Sequence, residues 1–160
     1  MISITLICVG RVKESYYTQA AAEYLKRLSG YCNAEVIELS EQRLPDAPSP
    51  AQIAQALARE AAAISERVPK GASVVAMCVE GRESDSAELS RTISDFAGRG
   101  VSRLCFVIGS SHGLSDTVKS AAVLKLSLSR MTFPHGLARV MLLEQLYRAF
   151  KIAEGGSYHK

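Results

Sequence analysis

The sequence predicts an α/β protein with a three-layer parallel sheet, and three observations predict it. Short apolar runs rich in β-branched residues alternate with stretches of helical period along the whole chain. The spacing between apolar runs suits crossover helices, which parallel neighbours require. The length, 160 residues, is that of one domain, with 48% hydrophobic and 22% charged residues, so residues 1–160 are read as a single unit with one core.

Each element has its own warrant. ISITLICVG (2–10) is the first strand. It is apolar for only about eight residues and has no basic lead, so it is neither a membrane span nor a signal peptide. ESYYTQAAAEYLKRLSGY follows as a helix, with Tyr17, Ala20, Ala21, Tyr24, Leu25 and Leu28 on one face. AEVIEL is strand two, and SEQRLPDAPSP, with its three prolines, is a loop. Ser49 caps the next helix and Pro50 occupies its first turn. ASVVAMCV is strand three, ended by Gly81, and a helix over about Ser86 to Phe96 follows. RLCFVIG is strand four, 115–122 a short helix and VLKLSLS strand five. The last helix starts near Pro134 and runs to about Glu154.

That last helix is apolar on nearly every side, from Leu137 through Val140, Met141, Leu142, Leu143 and Leu146 to Phe150. Such a helix must be buried on more than one face. Its own sheet covers one face, and a two-fold copy of the chain is the simplest cover for another, so a homodimer is expected. Glu144 and Arg148, four apart, can pair along the helix.

Lys and Arg total 19 and Asp and Glu 16, a net charge of +3 that permits an RNA partner without arguing for one. Cys8, Cys32, Cys78 and Cys105 show no C-x-x-C spacing, and three of them sit within apolar runs. They read as small hydrophobes, with neither a metal site nor a disulfide framework expected. The overall reading is cytoplasmic.

In parallel sheets, ligands bind beyond the carboxyl ends of the strands. Three ends matter here: Gly10-Arg11, Glu80-Gly81-Arg82, and Gly109 to Gly113. The last carries a G-x-S-x-G pattern around Ser111. A hydrolase nucleophile needs a base and an orienting acid. Asp116, His135 and His159 follow in suitable order, but Asp116 is only five residues past the serine. The alternative is that the glycines admit backbone groups close to a ligand. No Walker motif and no G-x-G-x-x-G is present. The second stretch, LSLSRMTFPHGLARV, places exposed backbone between a strand and a helix, where main-chain groups can read an adenine edge. The tail EGGSYHK follows a glycine hinge with an aromatic ring, a titratable ring and a cation, a set suited to gripping a nucleobase and its phosphate.

Taken in order, VGR-K, EY-KRL-Y, FVIG--GL, LSLS-MTFPH--RV-L-EQ-YRA-KI and the terminal YHK resemble the ribosomal RNA large-subunit methyltransferase H family of the SPOUT superfamily. The resemblance runs end to end and is densest over Leu104 to Lys160. It implies a trefoil-knotted SPOUT fold, a homodimer, and methyl transfer from S-adenosylmethionine to N3 of a pseudouridine in helix 69 of 23S rRNA, on the assembled ribosome. By position it implies a cofactor pocket of Met77, Gly109, Leu128, Ser129, Arg130, Met131, Thr132 and Phe133. His135, Arg139, Glu144 and Arg148 match family positions around the site or its dimer edge, and Tyr158 and His159 match the tail that closes on the target base. The chain departs from the family in having Ser110 where a second glycine is usual, and Met77-Cys78 where Leu and an acid are usual.

The expected chemistry is direct displacement, in which alignment and exclusion of water matter most. The expected roles are His159 as base or orienter, with Tyr158 beside it, and Arg148 as an electrostatic aid. Arg11, His135, Arg139 and Lys160 are the expected substrate contacts, Arg11 and Lys160 through phosphate, and no metal is needed.

Overall fold

A computed structural model of the chain describes residues 1–155. Five strands form one sheet: β1 (Ser3–Val9), β2 (Asn33–Leu39), β3 (Ser73–Glu83), β4 (Arg103–Ile108) and β5 (Leu124–Ser127). Their order is β2-β1-β4-β3-β5, and every pairing is parallel. The helices are α1 (Ser15–Leu28), α2 (Pro50–Arg67), α3 (Ser86–Gly98), α4 (Asp116–Ala121) and α5 (His135–Ala153).

The period of two along the central strands sorts the core into two layers. Ile4, Leu6 and Cys8 of β1, with Leu104 and Phe106 of β4, face Leu28, Leu89, Leu142, Leu143 and Leu146 from α1, α3 and α5. Ile7 and Val9, with Cys105 and Val107, face Ile64 of α2 and Val118 of α4. The sheet is thus covered on both sides, as a parallel sheet requires. Burial pushes the thiols of Cys8 and Cys32 up to about 11 and that of Cys105 up to about 12, which leaves all three as inert packing groups.

Helix starts follow local chemistry. The Ser49 hydroxyl accepts from the Gln52 N–H and the Gln52 side chain accepts from the Ser49 N–H, a capping box with Pro50 at the first turn. Asp85 and Glu88 form a second box that starts α3. The D-x-x-E signal for it is plain in the sequence.

Three expectations change. Gly81 does not end β3, which continues to Glu83 with a register shift against β5 between Met77 and Arg82. A Cβ on Gly81 would lie 2.7 Å from the Leu126 backbone, so this glycine admits a neighbouring strand. β5 stops at Ser127, where the next residues turn away. Finally, α5 is flanked by α1 and α3 as well as by the sheet. No residue from His135 to Ile152 is fully exposed, so much of its apolar girth is covered within one chain. Replacing Leu146, which is 0% exposed, with Ala is expected to lower the unfolding free energy by about 2–5 kcal/mol in urea titrations.

Candidate active site

The carboxyl edge of the sheet holds a cavity of about 670 Å³, the size of a small-molecule site. Its walls come from three places: the end of β3, the β4–α4 loop, and the segment between β5 and α5.

Backbone contact defines the β4–α4 loop. Gly113 donates its N–H to the Ser110 carbonyl at 2.8 Å and has φ +80. A Cβ on Gly109 would lie 2.3 Å from the Gly113 carbonyl oxygen, so only glycine fits there. The Ser111 hydroxyl and N–H both donate to the Glu41 carboxylate. The hydroxyl is therefore bonded to a carboxylate, and among the described residues no imidazole pairs with it as a hydrolase nucleophile needs.

The β5–α5 segment is shaped by two serines. The Ser127 hydroxyl donates to the Ser129 carbonyl at 2.9 Å, and the Met131 N–H donates to the Ser129 hydroxyl oxygen at 3.0 Å. These bonds hold the turn between β5 and α5 that lines the cavity. Pro134 then starts α5.

Of the residues expected to hold a cofactor, Met77, Gly109, Leu128, Ser129, Met131, Thr132 and Phe133 all line this cavity. Arg130 is exposed and is not part of the wall. Among the expected substrate contacts, His135 lines the cavity from the first turn of α5 and packs against Gly10. Its Nδ1 is buried with no hydrogen-bond partner among the described residues. Arg11 is exposed in the loop after β1. Arg139 turns inward: it is 6% exposed and pairs with Glu38 at 2.9 Å while donating to the Gly10 carbonyl at 3.4 Å. Arg148 pairs with Glu144 at 2.6 Å, as their spacing predicts. Tyr158, His159 and Lys160 lie outside the described residues.

The sequence reading missed Lys119, whose ammonium pairs with Glu80 on the cavity wall. The Glu80 side chain holds the Lys119 ammonium above its ordinary range, and Lys119 holds the Glu80 carboxyl below its own. No local signal joins residues so far apart. Glu60 was also missed, although it sits on the apolar stripe of α2 with Ala56 and Ile64, a legible oddity. Among the described residues, no group of three His, Cys, Asp or Glu could hold a metal ion.

The Arg139–Glu38 pair couples the site to pH. Burial pushes the Glu38 carboxyl up, but the Val12 N–H and the Arg139 guanidinium outweigh it and hold the carboxyl below its ordinary value. A depressed carboxyl stabilises the fold above its unfolded pKa, and that contribution is lost as pH falls through the folded one. The stability gap between the parent and Glu38→Gln should be full above about pH 5 and shrink toward acid. An unchanged gap at pH 7 and pH 3 in urea titrations would show that the pair is not coupled.

Comparison with known proteins agrees with this geometry. The family model described as "Predicted SPOUT methyltransferase" matches residues 2–159. The "Ribosomal RNA large subunit methyltransferase H" of Bacillus pumilus (strain SAFR-032) is 45% identical over 159 residues, covering 99% of this chain and 100% of the relative. The protein of the same name from Clostridioides difficile (strain 630) is 43% identical over 159 residues, again with 99% and 100% covered. In fold, the chain is similar to a crystal structure described as a probable methyltransferase from Bordetella pertussis Tohama I, at TM-score 0.56 and 15% identity, covering 92% of this chain and 96% of that one. With its parallel sheet and its cavity at the carboxyl edge of that sheet, the chain belongs to the SPOUT methyltransferase family, and within it to the ribosomal RNA large subunit methyltransferase H group.

Proposed function

We propose that this enzyme transfers a methyl group from S-adenosylmethionine to N3 of a pseudouridine in helix 69 of 23S rRNA, acting on the assembled ribosome in the cytoplasm. The observation that carries the reading is the cavity, with seven of the expected cofactor residues along its walls. The residues fit the cofactor. Gly109 leaves room for peptide groups that a Cβ would displace, and Met77, Ile108, Leu128 and Phe133 supply apolar surface for a flat base. Lys119 and Glu80 offer charges of both signs to a carboxylate and an ammonium.

Bound there, S-adenosylmethionine supplies a methyl group already activated on a sulfonium. The chain's work is then to orient and to exclude water. The 109–113 loop and the 128–134 segment, threaded in this reading as a trefoil knot, hold the cofactor by main-chain groups. His135 presents its ring at the wall. In this reading His159 takes the N3 proton, with Tyr158 on the base, Arg148 stabilising developing charge, and Arg11 and Lys160 on phosphate. Among the described residues no helix is long and apolar enough to cross a bilayer.

A homodimer completes the proposal. A second cavity of about 530 Å³ lies across Ser127 and Leu128 from the first, lined by Val140, Met141, Glu144 and Gln145 of α5. These apolar and polar groups at one site suit a self-complementary contact.

The decisive experiment is mass spectrometry of 23S rRNA from cells lacking the gene, where the methyl group is expected to vanish and to return with the enzyme in vitro. Unmodified loss patterns would defeat the reading. His159→Ala is expected to cut methyl transfer strongly, by roughly a hundredfold or more, with cofactor affinity nearly intact in calorimetry. Light scattering is expected to give twice the chain mass.

A further inference from the structure

Glu60 is an ionisable group buried in the middle of α2, only 4% exposed. A carboxylate on the core side of a helix is costly unless its oxygens are hydrogen-bonded. Here each oxygen has a donor. Oε2 accepts from the Gln42 N–H at 2.9 Å, and Oε1 accepts from the Ser110 hydroxyl at 2.7 Å. Gln42 lies in the loop between β2 and α2, whereas Ser110 lies in the cavity loop. One buried side chain therefore ties three segments together. Glu41 adds a tie through Ser111, but on the exposed side, where such bonds contribute less.

We infer that Glu60 is a positioning residue for the cofactor site, acting through Ser110 to hold the 109–113 loop in its open-cavity conformation. The geometry leaves that loop little slack. Gly109 packs so near the Gly113 carbonyl that a Cβ would lie 2.3 Å from its oxygen, and Ser110 lies between the two, so a shift of Ser110 moves the wall itself. A glycine at 110 would have no hydroxyl to offer. This chain's serine thus adds a bond from the loop to α2. The inference rests on the cavity being the S-adenosylmethionine site.

The test uses the full-length protein and two readouts: calorimetric titration with S-adenosylmethionine, and hydrogen exchange of the 109–114 amides without cofactor. Glu60→Met keeps the packing and removes both bonds. It is expected to raise the cofactor Kd roughly tenfold, the scale of one hydrogen bond to a charged group, and to speed exchange in the loop. Glu60→Gln is expected to recover most of the affinity, because its amide can accept from Gln42 and donate to the Ser110 oxygen. Ser110→Ala should weaken binding in the parent and add nothing in the Glu60→Met background. Ser90→Ala serves as the structural control. It deletes an equally buried bond, 2.7 Å to the Ala149 carbonyl, in the opposite layer, and should move neither readout. Parent-like affinity and exchange in Glu60→Met, or an equal loss in Ser90→Ala, would overturn the inference. Should Glu60→Met fail to fold, Ser110→Ala decides by the same measurements. A parent that does not bind the cofactor defeats the site reading, while loop exchange still decides the role of Glu60.

Discussion

The cavity exists because peptide groups meet without side chains between them. At Gly109 the chain comes so near the Gly113 carbonyl that no Cβ fits, and at Gly81 the same holds for the Leu126 backbone. These two approaches set the positions of the 109–113 loop and of β5, and β5 in turn aims the 128–134 segment. A site walled by main chain gains definition this way, because backbone geometry varies less than rotamers do.

Such loops stay in place only if their outer sides are fastened. The fastenings are polar and mostly buried: Glu60 to Ser110 and Gln42, Ser127 to Ser129, and Arg139 to Glu38 and Gly10. In a low-dielectric setting such bonds are strong, although the Arg139 Nε is itself buried without a partner among the described residues. Each of these groups reaches from a helix or strand to a loop at the same sheet edge. The rigid core thereby dictates the shape of its most irregular part.

Much of this was legible in the sequence, and the limits have physical causes. The near-continuous apolar runs ISITLICV and RLCFVI identified the central strands, because two-sided burial demands apolar residues on both faces. The Ser49-Pro50 start of α2 was legible because capping is local chemistry. The true end of β3 was not, because Gly81 reads as punctuation until Leu126 is known to lie against it. Likewise the girth of α5 suggested a partner chain, since nothing local says that α1 and α3 will flank it. Met77, Gly109, His135 and most of the 128–133 segment were legible as cavity residues through family resemblance. Glu60 could have been noticed, but its partner Ser110 lies 50 residues away and becomes visible only in the fold.

The placement of the arginines constrains how RNA can be held. Arg139 is committed to an internal pair and Arg148 is bonded to Glu144 on its own helix. A guanidinium bound to a carboxylate has less field to offer a phosphate. Arg11, in the loop after β1, and Arg130, between β5 and α5, are exposed. A chain with a net charge of only +3 has little bulk attraction for a polyanion. Recognition must then depend on a few well-placed cations around the cavity mouth and on the shape of the RNA itself. A folded loop presenting one base to a recessed methyl donor meets that demand better than a uniform duplex.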